Sequence, residues 1–294
     1  MIMKVLVLGA TGMLGHKLVQ NLSQDFLTYG TTRKAAEFYA DYPAFENASI
    51  LGGVDAFDFD SVKTAINTIN PDVVINSIGI VKQLPEANDP VFSITINSLF
   101  PHQLAKLCSS YNIRLIHYST DCVFSGRKGY YSEGDFADAD DLYGRTKLLG
   151  EVTGRNCLTL RTSIIGRELG KPHGLIDWFL AQRGQSVKGY QHAFFSGLTT
   201  NMHSEVLKKI ITGYPDLEGL YHLAAPAISK YDLLKIVKKV YHMDIGIEPD
   251  TNENTNRSLN GSKFQSATKI FIPSWPEMIS KMYQDPTPYD SVRR

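Results

Sequence analysis

An apolar run that passes without a break into spaced glycines limits what the start of this chain can become. "KVLVLG" (4–9) is rich in valine and leucine, and it leads into "GATGMLG", which holds Gly9, Gly12 and Gly15. Behind them Met13, Leu14, Leu18, Val19 and Leu22 recur at helical spacing, which predicts a strand, a tight turn and a helix over 12–22. Glycine lets the backbone turn sharply and lets a pyrophosphate come close. A helix start adds free N–H groups and the positive end of a dipole. A tight turn with one helix-packing glycine would also account for the triplet. Its place at the first strand–helix junction of a βαβ unit favours a dinucleotide, with Gly9, Thr11, Gly12, Met13, Leu14 and Gly15 around it.

The alternation continues. Strands are expected over 26–33, 48–54, 72–79, 113–120 and 157–165, and helices over 60–70, 93–112 and around Tyr143. Asp60 is the expected N-cap of the 60–70 helix, and Pro101 inside the next one predicts a local kink. Strands that are apolar throughout, separated by helices, mean a parallel sheet covered on both faces. The expected fold class is α/β: a doubly wound parallel sheet of the Rossmann kind over 1–165, with a smaller C-terminal substrate-binding lobe over 166–294. A segment near 195–225 is expected to return to the first domain, with "GLYHLA" (219–224) as its strand. "SKYDLLKIVKKVYHM" (229–243) reads as an amphipathic helix.

Composition serves to exclude. Lysine plus arginine, at 30, balance aspartate plus glutamate, at 30, so no global basic field invites nucleic acid or an anionic membrane. No apolar stretch approaches the length of a membrane span, and the apolar start is too short for a signal peptide. The scattered Cys108, Cys122 and Cys157 read as small packing residues in a reducing cytoplasm, not as a disulfide framework or a metal site. A cytoplasmic protein without a metal is expected, with a homodimer left open.

The second strand ends in Thr31, Thr32, Arg33 and Lys34. An acidic residue there would hold ribose hydroxyls and favour NAD, whereas cations accommodate the 2′-phosphate of NADP. A solvated basic pair is the plainer reading, but with the glycine turn one crossover earlier the sequence favours NADPH over NADH. Asp55 and Ala56, just past the third strand, lie where an adenine would be met, or else in an ordinary turn.

Two tyrosines stand four residues ahead of a lysine, in "YGRTK" (143–147) and "YDLLK" (231–235). With 15 tyrosines and 19 lysines, about one such pair is expected by chance, so spacing alone decides nothing. Surroundings decide. Thr120 ends the fifth strand at its carboxyl edge, where a doubly wound sheet presents ligands, and Asp140 or Asp141 can cap the helix of Tyr143 and Lys147. The Tyr231 and Lys235 pair lies in an amphipathic helix without a strand-end hydroxyl nearby, which makes it a packing pair.

At this point the chain resembles the extended short-chain dehydrogenase/reductases, and within them the dTDP-4-dehydrorhamnose reductase group. "GATGMLG", "NPDVVINSIG" (70–79), "YSTDCVFSG" (118–126) and "YGRTK" match in order. Weaker matches follow in "LRTSIIG" (160–166), "GLYHLAAP" (219–226) and "RSLNGSKF" (257–264), so the likeness spans nearly the whole chain. The resemblance implies NADPH-dependent reduction of the keto group of a nucleotide-linked 4-keto-6-deoxysugar in deoxysugar and surface polysaccharide biosynthesis. Tyr143 would donate the proton, Lys147 would bind the nicotinamide ribose and acidify the tyrosine, and Thr120 would bond the substrate carbonyl, with Asp121 bordering the substrate. Ser77, Ile78, Gly79, Thr162 and Ser163 would line the cofactor. Asn97 matches the family's asparagine, or else caps and packs within its helix. "NSIGIVKQ" (76–83) departs from the group's alanine-rich stretch and puts Lys82 and Gln83 within reach of a substrate, although Lys82 reads equally as a solvated loop lysine. The rivals are an epimerase of the same superfamily and a regulatory subunit that holds dinucleotide without turnover.

Overall fold

The computed structural model describes residues 2–82, 85–170 and 173–292. Its first half alternates β1 (Lys4–Leu8), α1 (Met13–Leu22), β2 (Leu27–Thr31), β3 (Ser49–Leu51), α2 (Phe59–Ile69) and β4 (Val73–Asn76). Then come α3 (Pro90–Ile94), a π-helical turn (Thr95–Leu99), α4 (Phe100–Ser110), β5 (Arg114–Thr120), α5 (Leu142–Leu149) and β6 (Cys157–Thr162). The second half holds β7 (Ile164–Ile165), α6 (Leu175–Leu180), β8 (Ser186–Phe195), β9 (Leu198–Thr199), α7 (Thr200–Gly213) and β10 (Gly219–His222). It closes with β11 (Ile228–Ser229), α8 (Lys230–Val240), β12 (Gly246–Asn256), α9 (Ser262–Thr268), α10 (Trp275–Tyr283) and α11 (Tyr289–Val292).

Seven strands form one sheet in the order β10-β6-β5-β4-β1-β2-β3, and every pairing in it is parallel. The doubly wound α/β sheet read from the sequence is therefore present. Successive side chains of β1 explain why it must be covered twice: Val5 and Val7 enter the core with α1 and α7, and Leu6 and Leu8 enter the other with α2 and α4. Strand order reverses between β1 and β4, and that switch point is where such sheets open a crevice at their carboxyl ends.

Beyond the sheet, β8 is flanked by β11 and β12, with α8 packed on it and α10 packed against α8. Leu233, Val237 and Met278 of this lobe belong to the same buried cluster as α1 and α7. Gly219–His222 takes the outer place beside β6, within the stretch the sequence offered for a returning strand.

Two local expectations change. The 60–70 helix starts at Phe59 with Asp58 at the N-cap, not Asp60, and Phe59 there brings its ring within 6.2 Å of Phe100. The expected kink in 93–112 is a π turn, closed by the Phe100 N–H bonding the Thr95 carbonyl. Pro101 has no N–H for the Asn97 carbonyl four residues back, so the helix widens just ahead of it. Among the described residues no helix is long and apolar enough to cross a membrane.

Candidate active site

The crevice at the switch point is a cleft of about 280 Å³ whose lining includes Gly9, Gly12, Arg33, Asp55, Ser77 and Gly79. Thr11, Lys34, Ala56 and Ile78 line it too. Gly9 has φ +85°, a left-handed conformation that a side chain would strain. A Cβ at Gly15 would overlap the Gly9 carbonyl, so α1 can only start this close to the turn with glycine there. Gly12 and Gly79 present bare backbone to open space: a Cβ would meet nothing nearer than 3.5 Å at either. No side chain caps α1, and its first turn carries no acid that would repel an anion. Cations at the end of β2 complete a cradle that fits a phosphate-bearing dinucleotide.

Some neighbours were not foreseen. Tyr39, Phe57 and Phe92 line the cleft beside the expected residues. Burial raises the pKa of the Tyr39 hydroxyl, helped by nearby Tyr42 and opposed by Arg33 and Thr11. Lys34 holds its ammonium 3.9 Å from the Phe38 ring centre. Asp55 lines the cleft and also makes a turn, its Oδ1 accepting the Phe57 N–H at 3.0 Å.

The catalytic candidates converge at the carboxyl end of β5. Thr120 ends that strand, and its hydroxyl lies near enough to that of Tyr143 from α5 to pull the phenol's pKa down. Thr120 Oγ1 also accepts the Cys122 N–H at 3.1 Å and donates to Asp121 at 3.2 Å. Burial raises the Tyr143 hydroxyl above its ordinary range, with Cys122 adding to the effect and Thr120 opposing it. Lys147, one turn along α5, is buried and donates to the Tyr118 carbonyl at 2.7 Å. Burial brings its ammonium down to about 8, against the pull of Glu151. Asp121 is buried and raised for the same reason, and it accepts a hydrogen bond from Ser163.

Helix α5 is held at both ends by glycine. A Cβ at Gly144 would overlap the Cys122 carbonyl, and one at Gly150 the Asn97 carbonyl in the π turn. Asn97 ties the pieces together: its Oδ1 accepts the Ile80 N–H at 2.9 Å, and its Nδ2 donates to Ile80 O at 3.2 Å and Thr146 Oγ1 at 3.3 Å. Asp141 caps α5 through the Gly144 N–H at 2.7 Å. Its other oxygen forms an ion pair with Lys82, whose ammonium lies 5.6 Å from the Tyr143 ring centre.

A family model described as the RmlD substrate binding domain matches residues 3–287. The chain belongs to that family. Among curated relatives, it is 32% identical over 182 residues to the probable low-salt glycan biosynthesis reductase Agl14 of Haloferax volcanii. That match spans 60% of the chain and only 58% of the relative. Against the dTDP-4-dehydrorhamnose reductase of Escherichia coli K12, identity is 24%, covering 96% of the chain and 98% of the relative. The solved dTDP-4-dehydrorhamnose reductase of Bacillus anthracis in complex with NADP superposes with a TM-score of 0.80 at 18% identity, covering 97% of this chain and 99% of that one. The resemblance read from the motifs is borne out.

Within this RmlD-family chain, some expected site residues stand back from the cleft. Met13, Leu14 and Gly15 form the first turn of α1, with Leu14 in the core. Thr162 ends β6, and Ser163 follows it on the Asp121 side. Gln83 lies outside the described residues. Tyr231 packs on Gly189 in the second lobe, while Lys235 pairs with Asp232 at 3.6 Å. Arg257 was not foreseen as a site residue: its Nε donates to Phe124 O at 2.9 Å, and its charge acts on Asp121 and Asp141. "RSLNGSKF" was its one signal.

Proposed function

We propose that this chain is an NADPH-dependent reductase of the 4-keto group of a nucleotide-linked 4-keto-6-deoxysugar, serving deoxysugar and surface polysaccharide synthesis. One juxtaposition carries the reading: the Tyr143 hydroxyl against Thr120 at the end of β5, with the Lys147 ammonium buried nearby. The relatives named as reductases of dTDP-4-dehydrorhamnose and the NADP-bearing structure lend it support.

When bound, the reduced nicotinamide supplies hydride. The chain's own residues bind and move the proton. The turn at Gly9, Thr11 and Gly12, with the N–H groups of Met13 and Leu14, would hold the pyrophosphate. Arg33 and Lys34 would take the 2′-phosphate, and Lys147 the nicotinamide ribose. Tyr143 gives its proton to the substrate oxygen and Thr120 donates a second hydrogen bond to it. Burial keeps Tyr143 protonated at neutral pH, the state from which it can donate. Lys82, clasped to Asp141 above the Tyr143 ring, would touch the entering sugar nucleotide.

The test supplies NADPH with a panel of nucleotide 4-keto-6-deoxysugars and follows its oxidation. Oxidation with at least one of them, yielding a 4-hydroxyl product, is expected. Tight NADPH binding without oxidation across the panel would favour a dinucleotide-holding subunit. Sugar interconversion with no net NADPH use would favour an epimerase.

A further inference from the structure

The back of the glycine turn is built from the far end of the chain. His16, one helical turn beyond Gly12 on α1, is fully buried. Its Nδ1 stands 2.9 Å from the Gly12 carbonyl oxygen and its Nε2 stands 3.1 Å from the Tyr289 hydroxyl. A carbonyl only accepts, so Nδ1 carries the proton, Nε2 accepts, and the Tyr289 hydroxyl donates. Burial, aided by the neighbouring Lys17 charge, pushes this imidazole down to about 4, so the neutral ring persists at neutral pH. The Gly12 oxygen also accepts the His16 backbone N–H at 3.1 Å. Two donors from one residue thus fix this carbonyl. In a planar trans peptide the C=O and the next N–H point opposite ways, so the Met13 N–H is fixed away from the helix body, where Gly12 borders the cleft.

Tyr289 is itself held in place. Asp285 pairs with Lys17 at 2.6 Å, both side chains buried, and Thr287 Oγ1 accepts from Lys17 at 3.0 Å. Asn201 of α7 donates to Asp285 at 2.5 Å. The Arg167 guanidinium lies 4.8 Å from the Tyr289 ring centre and donates to Asp290 at 3.1 Å. The tail therefore grips two consecutive residues of α1. Packing alone would be served by apolar side chains, since a buried ion pair is often no more stable than its hydrophobic replacement.

We propose that residues 285–292 are a working part of the dinucleotide site: Tyr289, acting through His16, sets the Gly12 peptide so that the N–H groups opening α1 are aimed at a pyrophosphate before it binds. His16 and Tyr289 are positioning residues, and neither lines the cleft. The proposal rests on the reductase reading in taking a dinucleotide as the ligand.

The test measures NADPH affinity of the full chain by calorimetry, with kcat, KM for NADPH and the thermal midpoint beside it. His16→Leu removes both ring bonds. His16→Asn keeps an N–H near the place of Nδ1, and Tyr289→Phe keeps the ring but loses the donor. His16→Leu should weaken NADPH binding about tenfold and Tyr289→Phe about threefold, while His16→Asn recovers most of the loss. The double variant His16→Leu with Tyr289→Phe should bind no more weakly than His16→Leu, because both act through one chain of bonds. The loss should fall on KM rather than kcat. Lowered midpoints with NADPH affinity unchanged would overturn the proposal and leave the reductase reading standing. If His16→Leu does not fold, Tyr289→Phe decides, and wild-type affinity in that variant overturns the proposal. A wild-type chain that binds no NADPH would overturn the reductase reading and this proposal with it.

Discussion

Tyr143 and Tyr231 share a spacing, and their surroundings differ in what proton transfer requires. Tyr143 faces a strand-end hydroxyl near a buried lysine, whereas Lys235 is exposed and paired with Asp232. Tyr143→Phe should therefore cut turnover by about 10²–10⁴-fold, and Tyr231→Phe should leave it near wild type. Comparable losses from both changes in a steady-state assay would sink the assignment. Lys147 adds a pH signature. Its ammonium is held near 8, so it is charged below that value and neutral above it. If that charge serves the step, kcat/KM should fall as pH rises through about 8, and a flat profile would dismiss it. At the end of β2, replacing Arg33 and Lys34 with alanine should weaken NADPH and spare NADH, and raised salt should narrow the wild-type preference. Equal wild-type affinities for the two cofactors would refute this. These residues could be read in the sequence because their meaning is local: glycines after a strand, cations at a strand end, a hydroxyl at a sheet edge.

The elements around α5 were legible only in part. Pro101 announced an interruption, yet not that it would take the form of a π turn presenting the Asn97 carbonyl to Gly150. That contact joins separate elements, and no periodicity within either helix encodes it. Asn97 likewise fitted the family's asparagine by position, while its observed bonds to Ile80 and Thr146 depend on how α5 docks. Gly150→Ala would drive a methyl into the Asn97 carbonyl and push α5 outward. It should lower stability by about 1–3 kcal/mol and reduce turnover more than NADPH affinity, since the glycine turn is untouched. Urea midpoints and kcat measured together check this, and unchanged values of both would show that α5 has slack.

Across the whole molecule, burial of histidine sets the response to acid. His16, His203 and His222 are pushed down to about 4 and His117 well below 6.5, each chiefly by burial. An unfolded histidine protonates near 6.5, so between about 6.5 and 4 the unfolded chain binds more protons than the folded one. Stability is then full above that window and lost as pH falls through it, by about 1.4 kcal/mol per pH unit for each histidine. Asp121, raised by burial, takes up a proton in the fold more readily than when unfolded and opposes the trend. Urea midpoints at about pH 7 and pH 5 should differ clearly; equal midpoints would contradict the burial of these rings. Such long-range features were the least legible. Arg257 reaches the mouth of β5 from beyond β12, and His16 meets Tyr289 across 273 positions. That last distance has a consequence in time. During synthesis the glycine turn emerges well before Asp285 and Tyr289, which come long after the strands that surround it. Until they arrive, Lys17 has no carboxylate to meet and cannot be shut away from water, so this face of the nascent sheet must stay wet. A cofactor mould begun at β1 is thus closed only once residues 285–289 have been made.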